Sequence, residues 1–304
     1  MNIIFGPINS RRFGKSLGID LSPSKKQCNF DCLYCELEPA KTMGEYKDII
    51  SVEDIIKAVK NALITHQDID VITITANGEP TLYPHLKELM EELNKIKGDI
   101  KSLILSNGST ISNKKVQEAL MLFDTVKLSL DCATAKCLKR LDRAYDNINI
   151  KSIKNGMIEF KKEFKKPFII EILIVKTIND KDSEIEELNK FLLKLNPTRV
   201  DIGTIDRPPA YSVEALSYEE LRDISLKFNE SLPIYIASRK KVTKSPSCYT
   251  KEEIIDTIKK RPLTEDDIDV LFDKNSKDIV KDMLKNNQLK VINSSGYGFF
   301  VINS

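Results

Sequence analysis

The chain has 304 residues, of which 41% are hydrophobic and 30% are charged, an ordinary balance for a folded globular protein. This length allows one large α/β barrel or two modest domains, and the net charge of +2 is too small to indicate nucleic-acid binding by itself. No signal peptide or long apolar run opens the chain, so we expect a cytoplasmic protein that does not associate with membranes and keeps its thiols reduced.

The first predicted strand covers residues 17–21, and a polar segment rich in Gly and Ser precedes it. This segment predicts a turn. Two adjacent arginines within it, Arg11 and Arg12, could together bind a phosphate or a carboxylate. A solvated turn explains the two arginines equally well.

Three cysteines, Cys28, Cys32 and Cys35, follow this strand with the spacing C-x3-C-x2-C. Thiolates are soft ligands that select iron–sulfur clusters, zinc or copper(I). A structural zinc site needs four protein ligands, and this segment offers no fourth Cys or His. A four-iron cluster held by three cysteines keeps one iron open, and an open iron can bind a substrate or a cofactor.

With Tyr34 beside the third cysteine, this loop resembles the C-x3-C-x-aromatic-C loop of the radical S-adenosylmethionine (SAM) superfamily. The resemblance implies a 4Fe–4S cluster on Cys28, Cys32 and Cys35, with SAM bound to the open iron. It also implies reductive cleavage of SAM to a 5′-deoxyadenosyl radical that abstracts hydrogen from a substrate. The alternatives are a chance grouping of cysteines or a zinc knuckle that lacks one ligand.

The segment over residues 6–20 reads Gly-Pro-x-x-Ser-Arg-Arg-x-Gly-x-Ser-Leu-Gly-x-Asp. It is similar to the start of the branch related to wyosine-type tRNA-modifying radical SAM enzymes. The wyosine-forming enzymes carry further cysteines upstream of the cluster loop, whereas this chain has none before Cys28. This difference argues against the same reaction, although membership of the superfamily is still expected.

A strand predicted over residues 70–76 ends in Asn77-Gly78-Glu79-Pro80. Gly permits close approach of the backbone to a ligand, Glu79 offers a carboxylate, and Pro80 fixes the turn. The tetrapeptide resembles the superfamily's Gly-Gly-Glu-Pro motif, with Asn77 in place of the first Gly. The resemblance implies that Gly78 and Glu79 place the amino group of SAM and that Pro80 shapes the turn.

Strands and helices alternate up to residue 203, which predicts an α/β fold with a parallel sheet and right-handed crossovers. The resemblance implies a partial (βα)6 TIM-like barrel over about residues 15–230, and a doubly wound open sheet is the alternative. The six predicted strands cover residues 17–21, 70–76, 101–105, 125–130, 168–175 and 199–203. The predicted helices begin near residue 51 and then cover residues 83–96, 113–123, 134–141, 148–164 and 184–195.

Polar residues follow the ends of two of these strands, where ligands bind in a barrel. Ser106 and Asn107 could hydrogen-bond a ribose or a carboxylate. The resemblance implies that Ser129 and Asp131 lie near the SAM ribose or the substrate. It also implies that Arg143 could pair with a carboxylate. A turn whose polar groups are satisfied within the protein is the alternative for each position.

Two further positions keep both interpretations open. Glu171 lies on a mostly apolar strand and is either a site residue facing inward or a residue at an edge. Arg207-Pro208-Pro209 follows the sixth strand and is either a substrate contact or a structural turn.

The remaining cysteines are Cys132, Cys137 and Cys248. Their spacing is poor for a second compact cluster, and a buried Cys usually acts as a small hydrophobic residue. We therefore do not expect an auxiliary cluster.

The C-terminal part of the chain predicts a second, smaller unit. We expect a radical SAM barrel domain over residues 1–231, a linker over 232–249, and a winged-helix-like domain over 250–304. Three helices and a hairpin around residues 294–296 motivate this prediction. A winged helix can enter a DNA groove, although docking to protein or RNA, or covering of the barrel, explains the unit equally well.

Two functions compete at this point. The first is a radical SAM enzyme with a 4Fe–4S cluster, SAM, an electron donor such as flavodoxin or ferredoxin, and RNA, perhaps a tRNA base, as candidate substrate. The second is a metal- or redox-sensing regulator that binds nucleic acid through the winged helix. Six βα units and a Gly-Glu-Pro turn favour the enzyme, because a regulator needs neither.

Overall fold

The computed structural model describes residues 3–10, 12–236, 246, 248–260, 262–294 and 297–303. Eight strands form one sheet in the order in which they occur along the chain. The first strand is antiparallel to the second, and the remaining neighbours are parallel. The strands are β1 (Ile4–Ser10), β2 (Gly14–Asp20), β3 (Val71–Thr75), β4 (Lys101–Ser106), β5 (Thr125–Ser129), β6 (Phe168–Ile174), β7 (Arg199–Thr204) and β8 (Ile234–Ile236).

Helices occupy every connection between the parallel strands. A 3₁₀ turn over Pro80–Leu82 precedes the second helix, and a π-helical turn over Leu138–Asp142 follows the fourth. The helices are α1 (Val52–Thr65), α2 (Leu86–Ile96), α3 (Lys114–Leu120), α4 (Ala135–Cys137), α5 (Ile150–Glu163), α6 (Asp182–Leu195) and α7 (Tyr218–Ser225).

The strand order confirms the predicted α/β fold with a partial barrel. A doubly wound sheet reverses its strand order at one point, whereas here each strand from β2 to β8 pairs with the next one along the chain. The six predicted strands correspond to β2–β7. The sheet has two further strands, β1 and β8, which form its edges.

The sequence did not predict β1, β8 or α7, and the two strands have physical reasons for this. β1 contains Gly and Pro, which are rare inside strands, and β8 has only three residues. Because β8 lies within the predicted linker over 232–249, the barrel extends further than residue 231. Residues 237–245 and 247 of that linker lie outside the described residues.

The main core lies between the sheet and the helices that follow its strands. Alternate residues of the strands, such as Ile72, Ile104 and Val200, are fully buried there. They pack in one cluster with helix residues such as Leu89 and Leu188. Apolar residues recur every second residue along the strands and about every 3.6 residues along the helices, and this recurrence produces the core.

The opposite face of the sheet carries a cluster of charged groups. Lys127, Glu171 and Asp201 lie on the adjacent strands β5, β6 and β7. The Nζ of Lys127 lies 2.6 Å from Oε1 of Glu171 and 2.9 Å from Oδ2 of Asp201. Glu171 therefore lies on a central strand and faces inward, not at an edge.

Arg12 joins this cluster from the turn between β1 and β2. Its guanidinium lies 2.8 Å from Glu171 and 2.6 Å from Asp201, and Arg199 approaches Asp201 at 2.8 Å. Arg12 thus binds carboxylates of the protein itself, so the predicted capture of an external phosphate or carboxylate is not supported. Arg11 lies outside the described residues.

The C-terminal unit contains three helices and a three-stranded antiparallel sheet in the order β10-β11-β9. The predicted helices and hairpin are present, although residues 295 and 296 of the turn lie outside the described residues; the winged-helix assignment remains a prediction. The elements are α8 (Lys251–Lys260), β9 (Leu263–Thr264), α9 (Glu265–Leu271), α10 (Lys274–Lys285), β10 (Leu289–Ser294) and β11 (Tyr297–Ile302).

This unit packs against β1 of the barrel. Ile8 of β1 belongs to the same buried cluster as Tyr249, Ile254 and Leu263. The hydroxyl of Tyr249 also donates a hydrogen bond to the carbonyl of Pro7. β1 therefore links the core of the C-terminal unit to the large sheet. In the described ranges, no helix has both the length and the apolar character needed to span a bilayer.

We predict that Asp201→Asn lowers the free energy of unfolding by about 3 kcal/mol, because it removes the carboxylate paired with Arg199 and leaves Lys127 and Arg12 with only Glu171 as counterion. Burial alone would raise the pKa of Asp201, but Lys127 and Arg12 outweigh it and lower that pKa. Urea denaturation of the full chain at neutral pH measures the loss.

Asp68→Asn is the matched control, because Asp68 also accepts from a lysine, Lys15, at 2.7 Å but its side chain is 75% exposed. We expect a change of less than about 1 kcal/mol there. Equal losses in Asp201→Asn and Asp68→Asn would contradict the stabilising role of the buried cluster.

Candidate active site

The cysteine loop follows β2 and carries three free thiols, Cys28, Cys32 and Cys35, each partly buried. Burial raises the pKa of each thiol. Repulsion from the charged form of Cys35 further raises the pKa of Cys28 and Cys32, and the charged form of Cys28 further raises the pKa of Cys32. For Cys28 the pKa rises to about 12. The three groups therefore lie close together, and a metal that binds them as thiolates must displace their protons.

The backbone of the loop pairs with the segment that follows β5. The amides of Asp31 and Leu33 donate to the carbonyls of Asp142 and Leu141 at 3.1 and 2.9 Å, and the amide of Tyr145 donates to the carbonyl of Asn29 at 2.8 Å. Although the loop has no regular secondary structure, these bonds fix its course.

Gly78 lies against the start of the loop and not against open space. The Gln27 amide donates to the Asn77 carbonyl at 2.9 Å, and the Glu79 amide donates to the Gln27 carbonyl at 3.0 Å. Gly78 has φ +137°, and a Cβ there would lie 1.9 Å from the Gln27 carbonyl oxygen. The sequence explained this Gly by approach to a ligand, whereas the structure shows approach to the protein's own main chain.

Glu79 is buried, and its carboxylate is fully used by the protein. One oxygen accepts from the Thr81 amide at 2.9 Å, from the Thr81 hydroxyl at 2.5 Å and from the Ser106 hydroxyl at 2.7 Å. The other accepts from the Asn107 amide at 2.7 Å. Burial raises the pKa of Glu79 in spite of these donors. This side chain joins the ends of β3 and β4, and Pro80 begins the 3₁₀ turn as predicted.

Asn107 extends from the end of β4 to the first cysteine. Its amide nitrogen lies 3.8 Å from the sulfur of Cys28 and donates to Asn29 at 2.9 Å. The Phe30 amide approaches the same sulfur at 3.4 Å. Hydrogen bonds to a cysteine sulfur favour its thiolate form, so these contacts prepare Cys28 to bind a metal.

Asp131 and Ser129 lie at the end of β5, where they line a small cavity together with Tyr34, Asn107 and Asp142. Asp131 accepts a hydrogen bond from the Tyr34 hydroxyl and another from the Leu173 amide at 2.7 Å. Burial raises the pKa of Asp131 to about 7. The cavity thus joins the cysteine loop to the strand end that the sequence selected.

Arg143 pairs with a carboxylate, as the sequence suggested, but the carboxylate belongs to the cysteine loop. Its guanidinium lies 3.2 Å from Asp31 and over the ring of Tyr211, 4.8 Å from the ring centroid. The Tyr211 hydroxyl donates to Asp31 at 2.7 Å. Arg143 therefore holds the cysteine loop in place through Asp31.

The Arg207-Pro208-Pro209 segment also contacts the cysteine loop. Arg207 lies 2.9 Å from Glu36, and the amide of Ala210 donates to the carbonyl of Cys35 at 2.8 Å. The structural interpretation of this segment is thus supported, and the loops after β5 and β7 both hold the cysteines.

The other cysteines do not form a cluster site. Cys132 and Cys137 are joined by a disulfide, and Cys248 is exposed. The expectation that all thiols are reduced is therefore wrong for this pair. Glu184 lies near both sulfurs, but its carboxylate accepts from the Ala133 amide, the Thr134 amide and the Thr134 hydroxyl.

The arrangement of the loop fits an iron–sulfur cluster better than zinc. Two sulfurs on one zinc lie at most about 4.6 Å apart, because Zn–S is about 2.3 Å. Within the described part of the chain, only Cys132, Cys137 and Glu184 bring three metal-ligating atoms within 4.8 Å of one another. At least one pair of the three loop sulfurs is therefore farther apart than 4.8 Å, which agrees with sulfurs that bind different irons.

Two buried carboxylate oxygens at this site have no hydrogen-bond partner, namely Oδ1 of Asp31 and Oδ1 of Asp142. Unpaired buried polar atoms are rare in folded proteins and often mark a place where a bound group is expected. The loop, the cavity and these two oxygens therefore fit a protein that binds a cluster and a polar cofactor here.

Comparison with known proteins agrees with this geometry. Residues 23–192 match the model of the radical SAM superfamily. The chain belongs to the radical SAM superfamily. Members of this superfamily are enzymes that use a 4Fe–4S cluster and SAM, so the enzyme is favoured over the alternative of a metal-sensing regulator.

The chain is 42% identical to a UPF0026 protein of Helicobacter pylori strain J99 over 292 residues, which is 95% of this chain and 94% of the relative. Among solved structures, a radical SAM methyltransferase from Sphaerobacter thermophilus superposes with a TM-score of 0.57 at 16% identity, over 74% of this chain and 67% of that one. SuiB of Streptococcus suis, bound to SAM, gives a TM-score of 0.54 at 20% identity over 73% and 51%. These structures establish the shared fold.

Sequence reasoning missed several residues that hold the radical SAM site. Asp31 was detectable, because a charged residue between two candidate metal ligands needs a partner once it is buried. Asp142 immediately precedes Arg143 and was overlooked beside it. Tyr211 gave no sequence signal, since only the fold brings it to the cysteine loop. Lys26 lies two residues before Cys28, but its burial and its contact with Cys35 leave no pattern in the sequence.

We predict that Gly78→Ala abolishes most cluster binding, because the new Cβ would meet the Gln27 carbonyl and displace the residue before Cys28. Iron and acid-labile sulfide per chain, measured after anaerobic reconstitution, report the effect.

Gly98→Ala is the matched control. Gly98 also has positive φ, at +55°, but a Cβ there has nothing within 4 Å, so only backbone strain of about 1 kcal/mol is added. This variant should bind the wild-type amount of iron, and a Gly78→Ala protein that does the same would contradict the role of the close contact.

Proposed function

We propose that this protein holds a 4Fe–4S cluster on Cys28, Cys32 and Cys35 and uses it to cleave SAM reductively. The observation that supports this most strongly is that one loop contacts the ends of three strands, β3, β4 and β5. The free thiols lie on that loop, and it contacts the Gly78-Glu79-Pro80 turn, Asn107 and Asp131.

When bound, the cluster and SAM supply the one-electron cleavage of the C5′–S bond that yields a 5′-deoxyadenosyl radical, which takes hydrogen from the substrate. The chain contributes by binding and orientation. Gly78 and Glu79 form the turn predicted to receive the amino group of SAM. Since four donors already occupy the Glu79 carboxylate, we assign that contact to the main chain of the turn.

Ser129 and Asp131 are proposed to face the ribose of SAM or the substrate from the end of β5, and Asn107 from the end of β4. Asp131 is buried beside Tyr34, and its raised pKa means that a proton can remain on it near neutral pH. Ser106 donates its hydroxyl to Glu79, so we assign it a positioning role. Arg143 acts through Asp31 on the cysteine loop.

The substrate is proposed to reach the inner face of the sheet, next to Ser129. Leu105 and Tyr235 on this face are each exposed by more than one third. RNA, in particular a tRNA base, is the candidate substrate suggested by the N-terminal resemblance, and the C-terminal unit is proposed to be a winged helix that helps to dock it. We also propose that an electron donor such as flavodoxin or ferredoxin reduces the cluster. The proposed location of the protein is the cytoplasm.

The experiment is anaerobic reconstitution with iron and sulfide, followed by SAM and dithionite, with 5′-deoxyadenosine measured by chromatography. We expect wild type to form it and Cys32→Ala to lose at least 100-fold in rate, because the cluster loses one of three ligands. Addition of tRNA tests the substrate class, because a true substrate should raise the rate at which 5′-deoxyadenosine forms.

Cys248→Ala is the control for this experiment, because it removes an exposed thiol remote from the loop. It should form the product at the wild-type rate. Zinc without iron in the purified protein, or an equal rate in Cys32→Ala, would contradict the proposed function.

A further inference from the structure

The cysteine loop contains a buried cation, Lys26, that has no role in the proposed function. The side chain of Lys26 is only 7% exposed. Its Nζ lies 3.6 Å from the sulfur of Cys35 and 3.8 Å from Oδ1 of Asp31. A buried ammonium needs a strong partner, because its removal from water is costly.

The sulfur of Cys35 is the nearer of these partners. Oδ1 of Asp31 has no hydrogen bond, and the distance of 3.8 Å to Lys26 is too long to be one. A separation of 3.6 Å is within reach for an N–H···S contact, because sulfur is larger than oxygen. Lys26 is thus directed mainly at Cys35.

The charge of Lys26 is not cancelled by its surroundings. Asp31 is the nearest anion, and it is shared with Arg143 at 3.2 Å and with the Tyr211 hydroxyl at 2.7 Å. The carboxylate of Glu36, next in the chain to Cys35, is paired with Arg207 at 2.9 Å. One positive charge therefore remains beside Cys35.

The other two cysteines have a different environment. The charged groups that act most strongly on Cys28 and Cys32 are the buried acids Glu79 and Asp142. Among the described residues, Cys35 is the thiol with an ammonium in contact.

We propose that Lys26 sets the reduction potential of the cluster by holding a positive charge against the sulfur of Cys35. The inference rests on the proposed function, since it requires the cluster on the three cysteines. Reduction moves one electron from the donor to the cluster, with no bond made or broken. A nearby cation stabilises the added negative charge, and it does so most effectively where water is excluded. Lys26 is thus a positioning and tuning residue, and it raises the potential.

The test is the midpoint potential of the reconstituted full-length protein, measured by anaerobic titration without SAM and followed by electron paramagnetic resonance. Lys26→Met keeps the length of the side chain and removes its charge. We expect the equilibrium between reduced and oxidised cluster to shift at least tenfold toward the oxidised form, which is about 59 mV lower for one electron.

Two variants separate charge from packing. Lys26→Arg retains the cation and should stay close to the wild-type potential. Lys25→Met removes the neighbouring lysine, whose side chain is 48% exposed and pairs with Asp48 at 2.6 Å, and should leave the potential unchanged because water screens that charge.

Equal midpoint potentials in wild type and Lys26→Met would overturn the proposal, as would an equal shift in Lys26→Met and Lys26→Arg. Failure of Lys26→Met and Lys26→Gln to bind iron, with normal binding in Lys26→Arg, would assign Lys26 to cluster assembly and also overturn it. A wild-type protein without a cluster would instead contradict the proposed function itself.

Discussion

The main chain of Gly78 lies against the main chain of Gln27, and the candidate site depends on this contact. Two backbone hydrogen bonds join the segments at 2.9 and 3.0 Å. The first cysteine is one residue from Gln27, and Glu79 is one residue from Gly78. The contact therefore fixes the position of Cys28 relative to the ends of β3 and β4, with no side chain between them. The side chain of Gln27 is itself held in place. Its amide nitrogen donates to Ser22 and to the carbonyl of Asp48, and its amide oxygen accepts from the backbone amides of Lys47 and Asp48.

Charges are distributed differently at the strand ends and on the inner face of the sheet. On the inner face, burial would raise the pKa of Glu171, but Lys127 and Arg12 outweigh it and lower that pKa. At the strand ends, burial raises the pKa of Glu79 and Asp131, and hydrogen-bond donors oppose this rise only in part. An acid with a raised pKa stabilises the fold only while protonated, so its contribution is lost as pH rises through the folded-state value. The contribution of Asp131 is thus lost as pH rises toward its pKa of about 7, and raised pKa values of this kind are common at functional sites.

The sequence predicted the central fold because the apolar periodicity was strong. β2–β7 were found, since each has at least two Val, Ile or Leu residues. β1 was missed because it contains Gly and Pro, and β8 was missed because it has only three residues. The cysteines, Gly78 and Asp131 were identified by motif and position. The partners of Glu79 and Arg143 were not, because hydrogen bonds between residues distant in the chain leave no local pattern.

The segment after β5 connects the remaining parts of the site. It supplies Asp131 to Tyr34, the carbonyls of Leu141 and Asp142 to the loop, and Arg143 to Asp31. The Cys132–Cys137 disulfide closes the first turn of this segment. Such a short loop stabilises the fold by only about 2 kcal/mol through chain entropy, so its effect is local. Both cysteines are buried, and thiol exchange requires access to a sulfur. Burial therefore explains how this disulfide can persist beside a loop whose three thiols must stay free.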